Sequence, residues 1–167
     1  MADLRAGMKA DGLDELYRAH WGRTVAVASH LLGDRSAAED IVQEAFVRLA
    51  DELDTVDDPG PWLRTVTYRR ALNELRRRDR ERAAISRHAA TVTDSYPAEL
   101  VDPIDARLAA ALGQLRGNQR AAVLLCWVDE VSTAEAARTI GCSAATVRVH
   151  LYRARKALGH ALEEEHT

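Results

Sequence analysis

Between Ser132 and Leu158 the chain reads STAEAARTIGCSAATVRVHLYRARKAL, a pattern suited to gripping nucleic acid. Ser132 is placed to cap a first short helix, and Glu135, three residues on, to complete a capping box. Ala136, Ala137 and Ile140 offer a small apolar face that lets a second helix approach closely. Gly141 falls where a helix end calls for positive φ. Ser143 then caps a second helix, with Val147, Leu151, Ala154 and Leu158 on one face and Arg148, Tyr152 and Arg155 on another. From Cys142 to Leu162 there are four Lys or Arg, two His and no acid. A helix-turn-helix with a basic second helix has the shape that enters a DNA major groove. The simpler alternative is a helical hairpin with a solvated charged face. The capping residues, the turn glycine and the lack of acids together favour DNA.

A second basic island lies upstream. Residues 61–82 carry eight arginines against three acids, in the run WLRTVTYRRALNELRRRDRER after Pro61. Arg69, Arg70, Arg76 and Arg77 suit phosphate contacts. Asn73 could hydrogen-bond a base edge, and Trp62 or Tyr68 could stack on an unpaired base. A third candidate surface is acidic. In the run from Ser36 to Leu53, Ala38, Ile41, Val42, Ala45, Phe46, Leu49 and Leu53 form a buried stripe, leaving Asp40, Gln43, Glu44 and Asp51 outside. Asp40 and Glu44 repel at i,i+4, and a Glu44–Arg48 pair offsets this by a few tenths of a kcal/mol. Solvation and protein docking both fit this face.

The elements that must hold these residues are helical. Ala, Leu, Arg and Glu dominate the 167 residues, and apolar positions recur at three- and four-residue steps. Leu13, Leu16, Tyr17, Trp21, Val25, Ala28 and Leu32 mark a first helix, broken at Gly33-Asp34. The segment 83–104 loses periodicity and contains Pro97 and Pro103, which reads as a flexible linker. Beyond it, a helix from Asp105 ends at Gly117, and another runs from Arg120 to Val128. The expectation is an all-α chain with a tail at 1–12, a small helical domain at 13–82, a linker at 83–104, a second at 105–162 and an acidic tail at 163–167.

Several classes are excluded. There is no GxGxxG, P-loop, HExxH or GxSxG, and the six histidines form no metal-ligand pattern with Cys126 and Cys142. No enzyme activity, cofactor or metal is expected. No apolar run approaches the ~20 residues of a membrane span, and MADLRAGMKADG lacks a signal peptide's apolar core. Two free thiols and no membrane insertion point to the cytoplasm.

Three blocks resemble the extracytoplasmic-function (ECF) sigma factors, the small two-domain class of bacterial RNA polymerase specificity subunit. AEDIVQEAFVRL at 38–49 resembles the polymerase-docking segment. PWLRTVTYRRALNELRRR at 61–78 is similar to the segment that melts and reads the −10 element. The helix-turn-helix is similar to the −35 reader. The resemblance implies that 13–82 is sigma region 2 and 105–162 is sigma region 4. It places Asp40, Gln43 and Glu44 on the clamp helices of the largest subunit of core RNA polymerase. It gives the Val56–Pro61 loop and Trp62 a flipped −10 base, and Asn73 the non-template strand, with Arg69, Arg70, Arg76 and Arg77 beside it. Arg148, Val149, His150 and Arg153 would face the −35 duplex, with Ser143 and Thr146 near phosphates. Core polymerase and promoter DNA are the implied partners, and an anti-sigma factor is a further one the family raises. The chain departs from the family pattern at Arg69, often Asn, and at Val149-His150, usually Ser-Arg. The helix-turn-helix also resembles that of LuxR-type regulators, so a free-standing transcriptional regulator is the alternative. Residues 13–82 fit neither a receiver nor a ligand domain in front of it.

Overall fold

The computed structural model describes residues 2–86 and 106–163, with side chains for 12–84 and 109–159. All described elements are helices. α1 spans Ala2–Leu32, α2 Arg35–Glu52, α3 Pro59–Ser86, α4 Ala106–Gln114, α5 Gly117–Val123, α6 Thr133–Ile140 and α7 Ala144–Glu163. A π-helical turn, Leu124–Val128, extends α5. α1 begins at Ala2, where a tail to residue 12 was expected from the sequence. α3 starts at Pro59, before Trp62, and continues to Ser86. The rest of the expected linker, and the tail beyond Glu163, lie outside the described residues.

α1, α2 and α3 each pack against the other two. Asp34 caps α2 by accepting from the Ala37 N–H at 3.0 Å, so the break expected at Gly33-Asp34 is also a start signal. The α2 stripe buries Ala38, Val42, Ala45, Phe46 and Leu49, with Ile41 and Leu53 half-buried. Tyr17, Trp21 and Phe46 form an aromatic cluster between α1 and α2, Tyr17 stacked on Trp21 at 4.6 Å.

The second half corrects two expectations. Gly117 does not end a helix but opens α5. It sits against α3, where a Cβ would lie 3.0 Å from Leu75 Cδ1, so a larger residue here would need the Leu75 side chain to shift by a few tenths of an ångström. The helix expected from Arg120 to Val128 widens after Val123. Asp129 N–H bonds back to Leu124 O at 2.9 Å, five residues away, and Val131 N–H to Leu125 O at 3.0 Å.

The two halves share a continuous apolar core, running from Leu31, Leu49 and Leu72 to Leu112, Leu124 and Val147. One charged side chain sits within it. Arg120 is 7 % exposed. Its Nε donates to Leu112 O at 2.7 Å, its Nη2 to Gly113 O at 2.7 Å and Leu115 O at 3.0 Å, and its Nη1 to Leu31 O at 2.7 Å. The guanidinium thus satisfies carbonyls left over at the end of α4 and at the C-terminal end of α1. Replacing it strands several buried carbonyls at once. Arg120→Leu should lower the unfolding free energy by about 3 kcal/mol or more in urea titrations. Arg120→Lys should recover only part of this, because an ammonium lacks the planar fork.

Candidate nucleic-acid interface

The helix-turn-helix forms as its residues dictate. Ser132 Oγ accepts from the Glu135 N–H at 3.2 Å, and Gly141 takes φ 82° in the left-handed region. The capping box is not completed, because the Glu135 carboxylate pairs with Arg64 of α3 instead. Ser143 Oγ accepts from the Thr146 N–H at 3.0 Å and shares a hydrogen bond with Thr146 Oγ1 at 2.8 Å. Both hydroxyls therefore fix the start of α7. Val147, Ala154 and Leu158 are buried and Leu151 is half-buried, which turns Arg148, Val149, Tyr152 and Arg153 to solvent. Tyr152 is 72 % exposed. Arg155 leaves this face and lies over the Trp127 ring at 5.7 Å. His150 is half-buried. Burial and the neighbouring Arg153 charge lower its pKa, so the ring is neutral at pH 7.

α3 divides its arginines between two directions. Trp62, Arg69, Arg70, Asn73 and Arg77 line an open groove of about 830 Å³, with Arg48 5.7 Å over the Trp62 ring. Arg69 also donates to Arg138 O at 3.1 Å, and Arg76 to Ile140 O at 3.4 Å. Those acceptors are the last carbonyls of α6, the negative end of a helix, so the two guanidiniums meet a partial charge of the kind a phosphate carries. Tyr68 is not available to stack on a base. It is 1 % exposed, and its hydroxyl donates to Asp129 Oδ2 at 2.9 Å. Burial, then the Asp129 charge, pushes its pKa well above 10, so the phenol stays a neutral donor.

Glu74 is a hub that the sequence reading passed over. Its carboxylate pairs with Arg77 at 2.7 Å and with Arg78 at 2.8 Å, and those bonds hold its pKa down to about 2. Arg78 also reaches Asp34 at 3.1 Å, which ties α3 to the cap of α2.

On α2, Asp40, Gln43 and Glu44 are exposed together. The expected Glu44–Arg48 pair does not form. Arg48 pairs with Glu52 at 2.7 Å, and Glu44 reaches across to Arg70 of α3. Glu44 therefore borders both the acidic face and the arginine groove.

The seam between the halves was hidden in the sequence. The Asp129 carboxylate, 7 % exposed, accepts from Tyr68 and from Arg23 at 3.1 Å, and Arg23 also donates to Val128 O at 3.1 Å. The π-helical turn carries Asp129 there. Only the absence of an obvious partner for Asp129-Glu130 hints at it in the sequence.

Two family models match the chain: Sigma-70 region 2 over residues 16–81, and Sigma-70, region 4, over residues 105–158. The ECF RNA polymerase sigma factor SigL of Mycobacterium tuberculosis is 31% identical over 165 residues, 95% of this chain and 93% of that protein. The ECF RNA polymerase sigma factor SigE of Mycolicibacterium smegmatis is 35% identical over 156 residues, 87% of this chain but 59% of SigE, so the chain spans little more than half of that relative. Among solved structures, the sigma factor RpoE in complex with the anti-sigma factor NepR from Bartonella quintana superposes with a TM-score of 0.69. It covers 90% of this chain and 96% of that one at 24% identity, which speaks to fold.

Two measurements check the seam and the hub. Tyr68→Phe removes one bond to a buried carboxylate and should cost about 1–3 kcal/mol in urea unfolding. Glu74 has a folded pKa below its ordinary 4.5. Its ion pairs therefore stabilise the fold above pH 4.5, and that contribution is lost as pH falls towards 2. Glu74→Gln should be less stable at pH 7 and flatter than wild type between pH 4.5 and 2 in thermal melts.

Proposed function

The chain belongs to the ECF sigma factor family, and from that premise we propose that it binds core RNA polymerase and directs initiation by reading the −35 and −10 promoter elements. A sigma factor is a specificity subunit and catalyses nothing itself. The observation that carries the reading is the shared edge of α2 and α3, where an exposed acidic face meets an open arginine groove. One surface docks on a protein while the other takes a single strand. Asp40, Gln43 and Glu44 are assigned to the polymerase clamp helices. Trp62, Arg70, Asn73 and Arg77 are assigned to the unpaired −10 strand, where a base leaves the stack and its edges become readable. Arg69 and Arg76 belong to the same set once they leave the α6 carbonyls.

The exposed part of α7 is assigned to the −35 duplex. Arg148 and Arg153 meet phosphates or base edges, and Val149 offers an apolar contact to a thymine methyl. Ser143 and Thr146, engaged with each other, hold the first turn against the backbone. His150, neutral and half-buried, contributes shape more than charge. The two readers are assigned to 13–82 and 105–162 as the sequence divides them, with α3 carrying the first on to Ser86 before the segment that joins it to the second. A cytoplasmic location fits, and among the described residues no helix is long and apolar enough to cross a membrane. The same reading makes an anti-sigma factor the class of protein that would hold the chain inactive.

Two weak readers become selective only when a larger body fixes their spacing. Run-off transcription on a promoter library with core polymerase should therefore yield defined start sites only when the chain is added. Footprinting with the chain alone should show little specific protection. Arg148→Ala should cut run-off product roughly tenfold, the value of one lost charged contact. Defined protection by the chain without polymerase, or unchanged transcription in Arg148→Ala, would count against the assignment.

A further inference from the structure

α3 grips α6, the first helix of the helix-turn-helix, at both ends. At the start of α6, Glu135 pairs with Arg64. At its finish, Arg69 donates to Arg138 O at 3.1 Å and Arg76 to Ile140 O at 3.4 Å. Arg76 also donates to Asn73 Oδ1 at 3.3 Å. Arg69, Asn73 and Arg76 fall at steps of four and three, so they share one face of α3. All three are assigned to the unpaired strand. The contact with α6 is loose where it meets them. The Arg69 bond is exposed to water and the Arg76 bond is long, and a guanidinium binds a phosphate more strongly than a carbonyl. The firm point is Arg64–Glu135, whose side chains are 24 % and 33 % exposed. Glu135 has a second place to go. Ser132 Oγ already accepts from the Glu135 N–H at 3.2 Å, one half of a capping box. The other half needs only the Glu135 carboxylate to turn back to the Ser132 N–H. A carboxylate that leaves Arg64 therefore regains a partner, and α6 keeps its start when it lets go of α3.

We propose that the α3–α6 contact is an autoinhibitory clasp: it engages Arg69 and Arg76 with the helix-turn-helix in place of single-stranded DNA, and it opens when Glu135 exchanges Arg64 for its own cap. This rests on the assignment of α3 to the unpaired strand. The strand and α6 compete for the same two guanidiniums. Coupling of this kind runs both ways, so a strand that takes Arg69 and Arg76 also loosens the helix-turn-helix from α3.

The test measures binding of fluorescein-labelled oligo(dT) to the full chain by anisotropy, without polymerase. Arg64→Gln removes a cation, so charge alone would weaken binding. Release of the clasp should instead tighten it about threefold, the scale of one partly exposed ion pair. Glu135→Gln should tighten it by a similar factor, and glutamine keeps the capping box available. Glu130→Gln removes the same charge from an exposed residue of the same half, outside the clasp, and should bind as wild type does. Each released arginine should steepen the dependence of log affinity on log salt by about 0.7. In a chain carrying Arg69→Ala and Arg76→Ala, the gain from Arg64→Gln should vanish. Unchanged or weaker binding in Arg64→Gln, an equal gain in Glu130→Gln, or a gain that survives without Arg69 and Arg76 would overturn the clasp. If Arg70→Ala and Arg77→Ala together leave oligo(dT) binding unchanged, the strand assignment itself falls, and the clasp with it.

Discussion

A buried guanidinium cannot stand among apolar side chains unless every donor finds an acceptor, and Arg120 solves this with main-chain carbonyls. The solution constrains the whole molecule. The acceptors on Leu112, Gly113 and Leu115 fix where α4 stops and how the chain turns into α5. The bond to Leu31 fixes the end of α1 against them. The two halves meet where these ends converge, and the apolar core closes around that point. Gly117 lies close by and brings α5 against Leu75 of α3.

From that join outward, the surface is governed by how arginines choose partners. α3 is a long cationic helix that holds its charge with acids from within and without. Glu74 and Glu81 hold Arg77, Glu74 and Asp34 hold Arg78, and Glu44 holds Arg70. These pairs are partly exposed and individually weak, so a phosphate chain can compete for them. Arg69 and Arg76 find main-chain carbonyls at the end of α6. The helix that would read DNA is thus pre-engaged with groups that resemble DNA electrostatically. This gives a physical reason to expect weak promoter binding by the chain alone. The shared position of Glu44 adds a link between surfaces, since a partner that takes Glu44 also releases Arg70.

The π-helical turn shows how one extra residue per turn redirects a side chain. A regular α5 would carry Asp129 around at the α-helical spacing. The wider turn brings its carboxylate between Tyr68 and Arg23, and Glu130 then takes φ 54° to lead the chain into the cap of α6. A buried tyrosine and a buried carboxylate on different halves become one seam.

Local rules made much of this legible in the sequence. The stripe on α2, the caps at Ser132 and Ser143 and the left-handed Gly141 are decided by neighbours within a few residues, so periodicity and side-chain chemistry suffice to place them. The exposed set Arg148, Val149 and Arg153 follows from the burial of Val147 and Ala154 on the opposite face. What the sequence could not decide is which of several equivalent groups meets a distant one. Glu135 was free to close its own cap or to reach Arg64, and Glu44 to take Arg48 or Arg70. Tyr68 has the same amphipathic character whether it stacks on a base or buries against Asp129. Those choices depend on groups 26 to 71 residues away, brought close only when the helices pack. The sequence by itself determined the helices and their faces, because those energies are local. Tertiary structure alone decided the partners of the charges, because an ion pair or a buried hydroxyl has no preference until a particular neighbour arrives within about 3 Å.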